Sequence, residues 1–310
     1  MKDNHVPLQA HLSMFAAEAI WGLMAPIGKA AMNSGFDGIS VVSFRVLGAA
    51  LLFWLASFIG PREHIPVRDI VKLAGAALLG IVFNQGLYNV GLSITSPVNA
   101  SIVTTSMPIF AMVFSFFILK EPITWKKALG VAVGCGGALI LILSSAHAGS
   151  AKVGDIRGDL MCFGAQFSFA LYLALYNPII RKYNVFTVNK WMFMWASLFV
   201  LPFTSWHVSQ LPWATFTVAT WLEVGYVVVF GTFVSYLLSV VAQRVLRPTV
   251  VSVYNYVQPI VSVIVSVAVG LSVFTLPQGV AVVLVFSGVW LVIKSKSKRD
   301  LQKSIEKSDE

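Results

Sequence analysis

The sequence predicts an all-α polytopic membrane protein, with ten transmembrane helices arranged as two inverted five-helix repeats. Three observations predict it. Apolar residues make up 57% of the 310 and charged residues only 11%, whereas a soluble chain is about a quarter charged; mean hydropathy is +0.80. Ten segments are each apolar over the roughly 20 residues that a spanning helix needs. A single shift of 151 residues then lays the second half on the first, pairing Gly80 with Gly231, Pro97 with Pro248, Ser101 with Ser252, Pro108 with Pro259 and Gly137 with Gly288. Five spans per half is an odd number, so the second half must enter the membrane from the opposite side. Secondary transporters often use that architecture, with a substrate site near the midplane between the repeats.

The first segment, 11–33, is expected to remain in the mature chain, because its apolar run from Leu12 to Met32 exceeds the h-region of a signal peptide. Its face of Glu18, Gly22, Ala25 and Lys29 places the two charges about 16 Å apart along the axis. They can neither pair nor together grip one amino acid. Glu18 reads equally as a proton-exchanging carboxyl or as a neutral, hydrogen-bonded structural acid. The second segment, 38–59, carries Arg45, which with Lys29 is expected to cap helix ends or snorkel to the interface. The third, 70–92, contains "FNQGLYNVGL" and sets Asn84, Tyr88 and Gly91 on one face. The fourth, 96–118, aligns Ser101, Thr104, Pro108, Ala111 and Ser115. The fifth, 125–144, holds the glycine run "GVAVGCGGAL", a surface for packing within the subunit or in a homodimer.

A charged connection leads to the second half. An offset of 148 near the start of each half sets Glu18 against Gln166 on the sixth segment, 157–180, which also offers a row of Ser168, Tyr172 and Tyr176. The seventh, 187–205, and the loop after it gather Trp191, Trp195, Trp206, Trp213 and Trp221, an aromatic belt. The eighth, 216–242, brings together Thr232, Ser235 and Ser239; Glu223 near its start reads as a helix-dipole partner. The ninth, 248–270, is "PTVVSVYNYVQPIVSV" and beyond, where Ser252, Asn255, Pro259, Ser262 and Ser266 share a face. The serines alone fit close helix packing. Asn255 with Tyr254, Tyr256 and Gln258 exceeds what packing needs and points to a water-accessible cavity. The tenth, 275–293, repeats the fifth around Gly288, and residues 294–310 form a charged tail.

The net charge of +9 reports topology rather than nucleic-acid binding. Only Lys152 and Arg157 fall in outer loops, so by the positive-inside rule both termini are cytoplasmic. Cys135 and Cys162 fall inside predicted helices and imply no disulfide. The histidines at 5, 11, 64, 147 and 207 are scattered toward loops and ends, without HExxH or an Asp-rich motif, so neither an enzyme nor a metal site is expected. The segment "GLMAPIGKA" has five residues between its glycines rather than the four of an ATP-binding loop, and Ala30 where a hydroxyl should hold magnesium. No cofactor is expected. The intramembrane amides, hydroxyls and phenols suit reversible binding of a small neutral or zwitterionic solute.

"WGLMAPIGKAA" (21–31), "VSFRVLGAALLF" and "LSITSPVNASIVTTSMPIFAMVFSFFILKEPIT" resemble the first-, second- and fourth-helix signatures of EamA-type proteins in the drug/metabolite transporter superfamily. The resemblance spans residues 11–144 and 157–293 as two repeats. It departs at Ser272, where Glu121 would predict a second glutamate; Glu121 itself reads as a loop or helix-end contact. The resemblance implies a bacterial inner-membrane carrier with a cavity built by the first, third, fourth, sixth, eighth and ninth helices. It adds Trp21 to the candidate substrate-binding residues Glu18, Asn84, Tyr88, Ser101, Thr104, Gln166, Tyr172, Thr232, Ser235, Asn255 and Tyr256. Expected partners are the bilayer and a small molecule such as an amino acid, with export implied by relatives; lipophilic cations and sugar derivatives are the alternatives.

Overall fold

A computed structural model describes residues 8–61, 63–95, 100, 103–146, 155–268 and 276–296. The candidate residue Ser101, the divergent Ser272, the tail beyond 296 and the side chains of Ala25, Ser262 and Ser266 lie outside what it describes. Among the described residues the chain is helical with no strand. Eight helices are long and apolar enough to cross a membrane, and Met107–Leu119 is a shorter apolar helix. In chain order we label α1 Leu8–Asn33, α2 Gly38–Ala56, α3 Val67–Ile94, α4 Met107–Leu119, α5 Trp125–Ala146, α6 Ile156–Leu175, α7 Val185–Ser209 and α8 Val218–Gln243. Two helical pieces, Pro248–Val253 and Val257–Ala268, make up α9, and α10 is Leu276–Ile293.

Packing follows small residues. Helices α5 and α10 meet along glycines: a Cβ on Gly130 would lie 2.8 Å from the Gly288 carbonyl, and one on Gly137 would lie 2.9 Å from the Ala281 carbonyl. The offset of 151 exchanges these two contacts, carrying Gly130 to Ala281 and Gly137 to Gly288. The same offset relates two local departures from α geometry. Helix α3 contains a π-turn at Leu78–Phe83 and α8 one at Val229–Val234, at equivalent positions. A π-turn inserts a residue and releases carbonyls from the helical ladder. In both helices a released glycine carbonyl is taken by a side chain from elsewhere: Gly80 by the Tyr236 hydroxyl at 3.0 Å, and Gly231 by the Trp21 indole at 3.0 Å.

The paired prolines act similarly. Pro108 stands in the first turn of α4, and Pro259 follows the 3₁₀ turn Tyr254–Tyr256 of α9. Each proline lacks the N–H that would bond the carbonyl four residues back. For Pro108 that carbonyl belongs to Thr104, and it accepts the Asn255 side-chain N–H at 2.9 Å. Thr104 and Asn255 are themselves separated by 151 residues, so equivalent positions of the two halves touch.

Most ionic contacts gather at one end. Asp69 accepts from Lys182 and Tyr183, both at 2.6 Å, and from Lys72 at 3.1 Å. The Glu63 carboxylate accepts the Asn184 backbone N–H, and Lys127 reaches Glu121 at 3.2 Å, the helix-end contact expected of that glutamate. The other end is held by Asp37 with His207 at 2.8 Å and by Ser34 with Glu223 at 3.5 Å. Glu223 is not a dipole partner. It lies beyond the first turn of α8, whose N-terminus Thr217 caps through the Thr220 N–H.

Candidate functional site

A cavity of about 70 Å³, space for several waters, lies among α1, α2, α3, α6, α8 and α9, with Thr104 at its wall. Of the twelve candidate residues, Glu18, Trp21, Asn84, Tyr88, Thr104, Gln166 and Asn255 line it. Glu18 is 1% exposed, and its carboxylate accepts the Gln258 amide N–H at 2.7 Å. Gln258 also donates to the Asn255 side-chain oxygen. A continuous polar chain therefore runs from Glu18 through Gln258 and Asn255 to the Thr104 carbonyl. Asn84 donates to the Ala165 carbonyl at 3.0 Å, which fixes α3 against α6 and holds the amide at the cavity edge. Trp21 stands edge-on to Phe169 and to Tyr236, with ring centroids 6.4 and 5.6 Å apart.

Four candidates are turned elsewhere. The Tyr172 hydroxyl donates to the Gln243 side chain at 3.0 Å, and its ring packs where Gly80 leaves room. Ser168 and Tyr176, in the same row, meet the Leu79 carbonyl and the Gly75 site, so the row is a seam between α6 and α3. Thr232 and Ser235 are buried against their own helix, donating to the Val227 and Thr232 carbonyls. Tyr256 packs on Gly134 and donates to the Val131 carbonyl at 3.2 Å. The last case has a simple cause. A 3₁₀ turn advances about 120° per residue, so Tyr254, Asn255 and Tyr256 fan toward three neighbours. Tyr254 goes to His11 of α1, Asn255 to the cavity and Tyr256 to α5.

Residues not among the twelve candidates complete the wall: Met24, Arg45, Gln85, Phe169, Tyr236 and Gln258. Arg45 corrects the expectation of a snorkelling or capping cation. It is 3% exposed, and its guanidinium donates to the Thr232 hydroxyl at 3.0 Å and to the Gly231 carbonyl at 3.3 Å. The π-turn of α8 supplies that released carbonyl within the protein, so the side chain turns inward. Lys29 does cap a helix end, donating to the Leu92 and Ser93 carbonyls at 2.8 and 3.1 Å. Three of the missed residues are linked by the repeat, and of these Phe169 alone pairs with a candidate. The offset of 148 pairs Trp21 with Phe169, and the offset of 151 pairs Gln85 with Tyr236. Gln85 lies in the regular helix Asn84–Ile94, three residues before Tyr88, and so shares the cavity side with Tyr88 as well as Asn84 does.

With this geometry in place, the chain can be compared with known proteins. It is 21% identical over 292 residues to "Uncharacterized transporter YetK" of Bacillus subtilis, covering 94% of this chain and 88% of that protein. It is 25% identical to "Uncharacterized inner membrane transporter YedA" of Escherichia coli, covering 83% and 82%. It is 23% identical to "Protein WALLS ARE THIN 1" of Arabidopsis thaliana, covering 97% and 86%. A solved crystal structure superimposes with a TM-score of 0.70 at 17% identity, covering 91% of this chain and 96% of that one, which speaks for the fold alone. Residues 8–143 and 156–294 each match the EamA-like transporter family, so the protein belongs to that family as two tandem copies.

Proposed function

We propose that the protein is a secondary transporter that moves small metabolites such as amino acids across the inner membrane by alternating access. The observation that carries the reading is the composition of the cavity wall. Four of its pairs are equivalent positions of the two halves: Glu18 with Gln166, Trp21 with Phe169, Gln85 with Tyr236, and Thr104 with Asn255. A cavity built in this way belongs to both repeats at once and must change when one moves against the other. The odd number of spans in each half supports inverted repeats. The basic end, with Lys127, Arg181, Lys182 and Arg247, supports cytoplasmic termini. The relatives named as transporters support transport over catalysis, and we assign no enzymatic role. Export follows from the family analogy.

Counterflow in proteoliposomes tests the reading. A panel of labelled amino acids should show saturable exchange that Asn255→Ala abolishes, because this variant cuts the polar chain between Gln258 and Thr104. Absence of exchange for every amino acid in a folded preparation would refute amino-acid transport. Lipophilic cations and sugar derivatives would then be the solutes to screen.

A further inference from the structure

We infer that Arg45 and Gln85 form a subsite for a carboxylate group, so that the solute enters the cavity with its acidic end toward α2 and α3. The inference rests on the transport reading above and adds to it the chemistry of one end of the substrate. Arg45 is a permanent cation buried among spanning helices. Its hydrogen bonds go to the neutral Thr232 and Gly231 groups, and none of the ion pairs among the described residues includes it. A buried charge without a counter-ion is strongly unfavourable, so intramembrane cations pair or face a functional cavity. Glu18, the other ionisable carboxyl or amine at the wall, is engaged with Gln258 and forms no ion pair with Arg45.

Gln85 is the second, independent observation. Its side chain is 2% exposed and lines the same cavity, where it faces the Tyr236 hydroxyl, yet neither its oxygen nor its nitrogen makes a hydrogen bond of good geometry. A buried unsatisfied amide is costly, and it persists most readily where a ligand completes it. Water alone would satisfy the amide but leave the guanidinium without a counter-charge. A carboxylate serves the guanidinium and the amide N–H: its two oxygens match the planar fork of arginine, and the second can also accept from Gln85, whose own oxygen is left to a water or another donor. The repeat emphasises how specific this corner is. The offset of 148 carries Arg45 to Phe193, which is buried in the apolar core, so the second half has no equivalent cation there.

Gln85→Leu separates a binding role from a structural one, because it removes an amide whose contact with Tyr236 is poorly formed and should change the unliganded melting temperature little. Thermal unfolding of the full-length protein in detergent would use propionate, propionamide and additional chloride at matched ionic strength. Counterflow would compare amino acids with their amides. Propionate should raise the melting temperature where propionamide and chloride do not. Gln85→Leu should remove most of that shift and raise KM for amino acids about tenfold, the equivalent of one charge-assisted hydrogen bond. Arg45→Lys, which keeps the charge but loses the fork, should weaken both responses. Equal shifts from propionate and propionamide, a shift reproduced by chloride, or an unchanged response in Gln85→Leu would overturn the subsite. Amino-acid exchange that accepts amides equally would overturn it while leaving transport standing. A propionate shift lost in Gln85→Leu without any amino-acid exchange would uphold the subsite and overturn amino acids as the cargo.

Discussion

Helices α3 and α8 share a backbone plan and differ in what they do with it. Each breaks α geometry with a six-residue π-turn at the same repeat position, and each exposes a glycine carbonyl there. Beyond the turn, α3 presents Asn84, Gln85 and Tyr88 to the cavity, whereas the equivalent residues of α8 are Ser235, Tyr236 and Ser239. The serines are short enough to fold back onto their own helix or a neighbouring glutamine. Only Tyr236 reaches the cavity wall, and its hydroxyl is spent on the Gly80 carbonyl of the opposite half. One repeat therefore turns polar groups into the cavity while the other braces them. Backbone symmetry persists because packing and the π-turn require it. Side-chain symmetry carries no such constraint, and the two helices diverge there.

The two glycines should break that equivalence most visibly. A Cβ at Gly80 would stand 2.8 Å from the Tyr172 ring, which cannot retreat, so Gly80→Ala should cost about 1–3 kcal/mol by overpacking. A Cβ at Gly231 meets Cγ of the unbranched Met24 side chain at 3.1 Å, and Gly231→Ala should stay within about 1 kcal/mol. Thermal unfolding of both variants in detergent decides it, and equal losses would mean that the two turns are equally packed.

Transport kinetics offer a second contrast. Asn84→Ala should raise KM by about tenfold, the loss of roughly one good hydrogen bond, while Ser235→Ala should change it less than about twofold. Matching effects would contradict the division into cavity-facing and bracing helices. Smaller still, Tyr236→Phe removes the hydroxyl that holds Gly80 and should cost about 0.6–1.7 kcal/mol, the range for interhelical hydrogen bonds in membranes. A stability equal to that of the parent protein would show that the released carbonyl needs no partner.

The ends of the bundle should separate by pH, with the smallest effect. Burial pushes the Asp37 carboxyl up, but hydrogen bonds from Ser40 and His207 outweigh it and hold the group below its usual value. Its stabilisation is present above the ordinary aspartate range and is lost as pH falls through the lowered value. Hydrogen bonding to Asp69 and Tyr183 raises the Lys182 ammonium above its usual value. That contribution is present below the ordinary lysine range and is lost as pH rises through the raised value. Asp37→Asn should therefore flatten the acid side of a melting-temperature profile, and Lys182→Met the alkaline side. Both changes should be slight, because these groups are solvent-exposed.

Much of this was legible without coordinates. Hydropathy exposed the spans, because a helix in lipid must be apolar over its whole length, and the proline and glycine pairs exposed the repeat. Seven of the twelve candidate residues meet in one cavity because intramembrane amides and hydroxyls are too costly to scatter. The orientation of side chains beyond a local irregularity was not legible. The π-turn of α8 released the carbonyl that draws Arg45 inward, and the 3₁₀ turn sent Tyr256 away from the wall. Arg45 faces inward because the Gly231 carbonyl, nearly two hundred residues away in sequence, receives it alongside the Trp21 indole. Sequence periodicity assumes an unbroken helix, and these turns arise only where another helix supplies the partner that a released backbone group requires. Composition and repeat thus determined that a polar centre exists between the halves, and tertiary packing decided which side chains occupy it.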